Sequence, residues 1–528
     1  MQLGRLTVPL SAGRRAGSAT GDAGIGRGAN SIALAALCTL LFLTFLDNTV
    51  VSVGLGSIQT DLQAGVTDLQ WVVGAYALTF ASIMLACGMI GDELGRKAVM
   101  LTGAGVFCAG SVLCALAPNV QVLIAGRAVM GLGAAASEPG TLSVLRHIYT
   151  DERARARAIG VWAAVSGLAL AMGPVIGGAL IGVWSWRGIF WFNLAFGLAA
   201  LLVAAFVVPE SANPRAARVD TAGTLLGAGA LATFVFAIID AEGSGFGSPN
   251  VIALLCVAAA AAVAFFLRER RAANPLLDLR FFRMRQFTVP NVVAFCTYFA
   301  TFAIFFFTAL YLVEVVVDSG YKIALIFLPM TVLMIVTSLL VGNWTGAAGP
   351  RWPITIGCLL FGAGLLTTNS LISPHPSYLA LTLALALAGI GIGMTVTPVT
   401  SAAMGAAPAE RSSMAASVVN TSREMGAVTG VAILGALVSS RLSADLTGEL
   451  QRLGVPLTYK PIIINAIETG QTQIPAAFAG YKKTIEELFT AADGAFGSGL
   501  HAALYLSAAL VLLSGVLAAV TLRKEPAQ

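Results

Sequence analysis

Three acidic side chains stand in stretches of this 528-residue chain that are otherwise apolar: Asp47 in Leu46-Asp47-Asn48-Thr49, Glu138 before Pro139, and Glu424 after Arg423. A carboxylate in hydrocarbon is expensive, and such residues bind a proton, a cation or a fixed positive partner. Arg127 and Arg423 are the basic side chains similarly placed. Counted inward at about 1.5 Å per residue, Asp47 and Arg127 reach the same depth, so the two can pair. An arginine that moves relative to the carboxylate would change its proton affinity; a static pair joining two helices is the plainer alternative. Glu138 follows Arg127 by 11 residues, about three helical turns, which places both on one side of their helix. That side is expected to line a cavity, with Glu138 either a substrate or proton site or a helix-to-helix hydrogen bond. Glu424 is either titratable and cation-binding or neutralised by Arg423.

No other chemistry is written into the chain. It has no GxxxxGK[ST] phosphate loop, no HExxH and no nucleophile elbow, which disfavours ATP-driven transport and hydrolysis. His147, His375 and His501 form no cluster, and the seven cysteines lie in apolar stretches without the paired spacing of a metal or redox site. No catalytic residue, metal, cofactor or nucleic-acid partner is expected.

The elements that must hold these side chains are membrane spans. The chain is 57% hydrophobic and 11% charged, with mean hydropathy +0.85, against about 25% charged residues in soluble domains. A span takes about 20 apolar residues, and fourteen stretches qualify, from 31–55 to 500–521. Most of the 31 Lys and Arg residues fall on one side if the N-terminus is cytoplasmic, which predicts both termini inside and an uncleaved first span. An echo at an offset near 258 residues suggests two halves: Gly131-Leu132-Gly133, Pro139 and Asp151-Glu152-Arg153 are followed by Gly391-Ile392-Gly393, Pro398 and Ala409-Glu410-Arg411. The expected organisation is a cytoplasmic tail (1–30), a six-helix bundle (31–208), two linker helices with an Arg-rich cytoplasmic linker (209–285), a second six-helix bundle (286–521) with a long outer loop (440–499), and a short tail (522–528). Within that loop, Lys482 to Phe489 suggests a short amphipathic surface helix.

Between two of these spans lies the charged turn Gly88-Met-Ile-Gly91-Asp92-Glu93-Leu-Gly95-Arg96-Lys97. It resembles the loop after the second span in the major facilitator superfamily, although Glu93 departs from the usual basic residue. Leu46 to Val53 resembles the first-span motif of the family's fourteen-span drug:proton antiporters, with Ser52 and Gly56 replacing Asn and Pro. Leu123 to Gly131 matches the fourth-span motif, with Met130 for Gln. Gly167 and Gly173-Pro174-Val-Ile-Gly177-Gly178 resemble the signature found mainly in exporters. Trp184 to Asn193, Asn420 to Gly426 and Gln70-Trp71 with Tyr76 also match, with Ala195 for a common Pro and Glu424 for Gln.

The resemblance implies an all-α membrane protein of the major facilitator fold, with two extra central helices. In it Asp47, Arg127 and Arg423 would couple protons to substrate, Tyr76 would line the cavity or the core, and Gly88, Asp92, Gly95 and Arg96 would form a conformational gate; Glu138, where the family usually has an apolar residue, and Glu424, where it has Gln, join the coupling set on their intramembrane cost alone. The second copy of the turn keeps Gly342, Gly349 and Arg351, but Gly346 replaces the acid. The implied function is proton-coupled export of amphipathic small molecules, cationic or lipid-like, by a monomer in the cell membrane conferring drug resistance. Lipid or glycolipid flipping and a non-transporting membrane sensor are the alternatives.

Overall fold

Hydrocarbon offers backbone groups no hydrogen-bond partner, so a spanning chain must satisfy them internally. The computed structural model describes residues 27–64, 66–210, 220–272, 277, 279–308, 311–312, 316, 320–373, 376–408, 411–452 and 482–522. The tails before residue 27 and after 522, the centre of the outer loop, His375, Ala409 and Glu410 lie outside these, as do the side chains of Gln70, Asp92 and Pro174.

Among the described residues there are fourteen long helices. The first eight are α1 (Arg27–Leu62), α2 (Val66–Leu94), α3 (Arg96–Ala115), α4 (Val120–Ile148), α5 (Glu152–Val183), α6 (Arg187–Val207), α7 (Thr221–Ser244) and α8 (Pro249–Glu269). A short 3-10 turn at Phe281–Arg283 leads to α9 (Arg285–Phe302), which continues as a π-helical turn, Ala303–Phe307. Then come α10 (Gly320–Ala348), α11 (Arg351–Leu371), α12 (Tyr378–Ala406), α13 (Ser412–Arg452) and α14 (Lys482–Thr521). Eleven of the fourteen are long and apolar enough to cross a membrane by composition. The other three are α2, α5 and α13; within α2 the described apolar stretch is Trp71–Met84. Asn119 and Asp151 cap α4 and α5, their carboxamide and carboxylate oxygens accepting from Val122 N (3.0 Å) and Ala154 N (2.7 Å).

The outer loop is shorter than expected. Helix α13 runs to Arg452 and α14 starts at Lys482, so both ends of 440–499 are helical and Lys482 to Phe489 opens α14 rather than forming a separate helix. Extending a helix adds one bond per residue whereas starting one is costly, and neither 439–452 nor 482–499 contains proline. The two extensions pack together: Ser498 donates to Asp445 (3.2 Å), and a methyl at Gly499 would stand 2.8 Å from Val438 Cα.

Packing follows the repeat. Among the first six helices, α4 lies against α2 and α3, and α5 against α1; in the later group α12 lies against α10 and α11, and α13 against α9 and α14. The close approaches correct the register of the sequence echo. Gly131 faces Tyr76 O on α2 as Gly389 faces Met330 O on α10, while Gly133 and Gly391 meet Phe107 N and Phe361 N. The structural counterparts are therefore Gly389 and Gly391, two residues before the glycines that the sequence pattern pairs with Gly131 and Gly133.

Helices α7 and α8 form a hairpin beside the seam between the groups. The last turns of α7 lie on α2, with Phe236 against Trp71 (5.1 Å between ring centroids) and Ile239 over Gly74 (3.0 Å from the methyl position). Its first turns, with Phe265 of α8, join a separate apolar cluster containing Phe287, Met414 and Val418 of the second group. Arg268 grips Asp220 with two hydrogen bonds of 2.9 and 3.0 Å, and this grip holds the Asp220 carboxyl below its ordinary range.

Candidate functional site

The polar side chains of the bundle interior gather into two clusters. In the first, Arg127 and Asp47 form an ion pair between α4 and α1 that is essentially sealed, at 1% and 0% exposure. Asn193 of α6 donates to the other carboxylate oxygen (2.7 Å), Arg127 Nε donates to Val72 O (2.9 Å), and the guanidinium lies 4.5 Å from the Tyr76 ring centroid. Tyr76 is fully buried, stacks on Phe80 and donates to Thr44 O (3.3 Å), so it supports the pair rather than facing open space. Three helices thus converge on one carboxylate. Burying a charge is tolerable only with this degree of pairing.

Helix α5 presses α1 into that position. Gly173 meets the side chain of Thr49, two residues past Asp47, and a methyl at Gly177 would stand 3.0 Å from Val50 O, while at Gly178 it would meet nothing within 4 Å. Small residues let two helix backbones approach this closely. The Gly-Pro signature therefore holds the acid-bearing helix.

The second cluster lies between the two helix groups. Arg423 of α13 is 2% exposed, and no described carboxylate lies within ion-pair distance of it. Its partners are neutral: Asn420 Oδ1 (3.0 Å), Thr400 Oγ1 (2.5 Å) and Val396 O (3.4 Å), with the rings of Trp162 and Tyr298 at 5.5 and 5.4 Å. Its Nε has no hydrogen-bond partner. Glu138 of α4 is 3% exposed and one of its carboxylate oxygens also lacks a partner, while Glu424 and Arg423 lie within electrostatic range of it. Trp162 Nε1 donates to Thr141 Oγ1 (3.0 Å), whose hydroxyl donates to Glu138 O (2.7 Å), so an aromatic ring connects the acid's own turn to the arginine. A cavity of about 30 Å³ adjoins this cluster, lined by Ser166, Gly167, Tyr298, Met334, Ser338 and Val396 among others.

The two groups meet firmly at the end of the bundle that carries the Gly88–Lys97 turn. Arg146, near the end of α4, donates to Met404 O and to Ala407 O (2.8 Å) around the end of α12. Along α5 and α10, a methyl at Gly160 would stand 2.8 Å from Ser338 O, one at Gly342 2.8 Å from Ala156 O, and one at Gly346 3.3 Å from Arg153 Cα. Gly346, where the second copy of the turn lacks its acid, is thus a contact point between the groups, with a methyl position 3.2 Å from Arg153 Cγ. In the first copy Gly95 has φ 109°, a conformation that favours glycine, and Glu210 beyond α6 accepts from Lys97 N (3.2 Å). Arg96 is buried beside it. Gly88 is buried within α2.

At the opposite end Arg187 pairs with Asp61 and donates to Ala117 O (3.0 Å), and Trp186 Nε1 donates to the same carboxylate (3.0 Å). The Arg187 and Trp186 hydrogen bonds hold the Asp61 carboxyl below its ordinary range.

Sequence reasoning missed Trp162, Tyr298, Thr400 and Glu210, and met Asn193 and Asn420 only as members of motifs, without a role. Asn193 carried a usable signal, since a carboxamide inside an apolar span also demands a partner. Trp162 and Tyr298 look like ordinary span aromatics until the fold sets them beside Arg423.

A bundle of long apolar helices in two repeated groups, with paired charges in its interior, defines a polytopic transporter. A sequence model of the Major Facilitator Superfamily matches residues 37–431, and the chain belongs to that superfamily: it is a secondary transporter, not an enzyme. It is 36% identical over 412 residues to the multidrug resistance protein Stp of Mycobacterium tuberculosis, covering 78% of this chain and 76% of that protein. It is 33% identical to the methylenomycin A resistance protein of Streptomyces coelicolor (81% and 90% covered) and 30% identical to the drug efflux pump JefA of M. tuberculosis (90% and 94%). Among solved structures it is similar in fold to the human organic anion transporter MFSD10, with a TM-score of 0.60 at 14% identity over 93% of this chain and 98% of that one.

Proposed function

We propose that this transporter exports amphipathic drug-like molecules from the cytoplasm in exchange for protons, working as a monomer in the cell membrane with both termini inside. The observation that carries the reading is the Glu138 carboxylate: it is buried between the two groups, one oxygen has no hydrogen-bond partner, and Arg423 and Glu424 of the other group are within electrostatic range. Such a group can take a proton from one side and give it up to the other as the groups rock, and its proton affinity follows its burial and its distances to Glu424 and Arg423. Relatives named as drug efflux and drug resistance proteins support the substrate class. Asp47 and Arg127 couple the α1–α4 contact to the same cycle, and the turn from Gly88 to Lys97, with Asp92 and Arg96, gates the cytoplasmic end. The firm contacts at that end are those of a state closed toward the cytoplasm.

The test is ethidium uptake into everted membrane vesicles energised by a proton gradient. Uptake is expected in the wild type, is abolished by an uncoupler, and is lost in Glu138→Gln and in Asp47→Asn, with both variants still present in the membrane. Uptake that survives the uncoupler, or equals the wild type in both variants, would refute proton coupling.

A further inference from the structure

The described residues of the segment joining α8 to α9 have no part in the transport site, yet they are held by hydrogen bonds and packing. Glu269, 4% exposed, accepts from Leu277 N (2.8 Å), drawing the chain back against the end of α8. Phe281 packs on Phe287 (5.7 Å between ring centroids), and Met284 N donates to Phe281 O (2.9 Å) to close the 3-10 turn. Thr288 Oγ1 donates to Phe282 O (2.7 Å) and ties that turn to the first turn of α9. Leu277, Leu279 and Phe281 thereby join the apolar cluster that fastens the α7–α8 hairpin to α13.

The outer surface of this platform is basic and apolar at once. Arg270, Arg271, Arg283 and Arg285 are exposed, and beside them Phe266, Leu267, Phe282 and Met284 are 47, 49, 37 and 40% exposed. From Arg268 to Arg285 the net charge is +4. Charges that serve only to orient spans can sit anywhere in a loop. Here Arg270 and Arg271 are held by the hydrogen-bonded end of α8, and Arg283 and Arg285 by the 3-10 turn and the start of α9, where two spans leave the hydrocarbon, each pair beside apolar side chains that water does not favour. Amphipathic placement of this kind fits the boundary between acyl chains and headgroups, where each arginine near an anionic surface gains about 1 kcal/mol.

We infer that the α8–α9 platform is a binding site for anionic phospholipid, with Arg270, Arg271, Arg283 and Arg285 on the headgroup phosphate and Phe282 and Met284 against the acyl chains. The guanidinium fork pairs two donors with two phosphate oxygens, which favours a phosphate monoanion over the zwitterionic headgroup, whose own ammonium competes for the same oxygens. Occupancy would hold the linker, and with it the base of the α7–α8 hairpin, against α9 and α13. This inference concerns a surface away from the transport cluster and stands whether or not protons drive export.

The test is native mass spectrometry of the full-length protein, purified with phosphatidylglycerol and phosphatidylcholine in equal amounts. The wild type is expected to retain severalfold more phosphatidylglycerol than phosphatidylcholine, and the Arg270→Gln/Arg271→Gln/Arg283→Gln/Arg285→Gln variant to lose that preference. The fourfold Arg→Lys variant, which keeps the charge but not the fork, should keep only part of it, and Arg153→Gln/Arg157→Gln in the exposed first turns of α5 should leave it unchanged. Three results would overturn the inference: no preference in the wild type, an equal loss in the Arg153/Arg157 variant, or displacement of the lipid by inorganic phosphate at matched concentration, which would mark a site for soluble anions. If the fourfold Gln variant does not fold, the wild-type preference and the Arg153/Arg157 comparison still decide the matter.

Discussion

Arg127 and Arg423 are both buried to within 2% of completely, and the protein treats them in opposite ways. Arg127 has a carboxylate, a backbone carbonyl and an aromatic face, and its acid is further tied to Asn193. Arg423 has three neutral oxygens, two rings and a nitrogen left over. Both acids that could neutralise it, Glu138 and Glu424, are close enough to feel its field but are not paired with it. A sealed pair resists rearrangement, because separating its members exposes two charges to hydrocarbon. An arginine held by neutral groups gives up little when it turns toward an acid. The contrast assigns structural strength to the first cluster and mobility to the second.

The largest effect should come from breaking the sealed pair. Arg127→Ala leaves Asp47 without its cation and with Asn193 as its remaining side-chain partner, and removal of one member of a buried pair costs about 3–5 kcal/mol. Thermal unfolding in detergent would show it as a strongly lowered midpoint. The double variant Asp47→Asn/Arg127→Gln removes both charges and should recover much of the loss. If it is no more stable than Arg127→Ala, the charge pair is not what holds α1 to α4.

Arg423→Gln should cost less, about 1.5–3 kcal/mol for lost charged hydrogen bonds, because no buried carboxylate is orphaned at ion-pair distance. Its main effect should fall on transport, with ethidium uptake lost while the unfolding midpoint moves modestly. A midpoint as low as that of Arg127→Ala would erase the distinction between the clusters. Thr400→Val removes a single acceptor from Arg423 and is expected to cost about 1 kcal/mol; a larger loss would show that this cluster is as tightly built as the first.

How much of this could be read from the chain follows from the physics of each feature. Asp47 and Arg127 were legible because a charge inside a span is costly in any fold, so matching depth was enough to bring them together. Arg423 and Glu424 were legible as intramembrane charges, but not their failure to pair, which depends on which way α13 faces. Asn193 was overlooked because a neutral amide carries a weaker penalty than a charge. The place of α7 and α8 was hidden for another reason: a helix facing lipid and one facing protein can have the same hydropathy, so composition does not report neighbours. The glycine register shows a similar limit. Gly389, Gly391 and Gly393 alternate, and only the helices they touch decide which two repeat Gly131 and Gly133.

A third arginine tests what burial contributes. Arg187 and Asp61 make the same ion pair as Arg127 and Asp47, but at the water face, with side chains 34% and 49% exposed. Hydrogen bonds from Arg187 and then Trp186 lower the Asp61 carboxyl relative to the unfolded chain, where a free aspartate titrates near about 3.9. A lowered carboxyl stabilises the fold above the unfolded value, and that contribution disappears as pH falls through the folded one. Acid titration followed by the fluorescence difference between wild type and Trp186→Phe should therefore show a transition below pH ~4 that is absent in Asp61→Asn. Raising salt toward about 1 M, where the screening length falls to about 3 Å, should weaken this exposed clasp and leave the buried pair untouched. If Asp61→Asn titrates like the wild type, the indole hydrogen bond does not report the clasp; if salt lowers the stability lost in Arg127→Ala by the same proportion, solvent reaches Asp47 and the first cluster is not sealed.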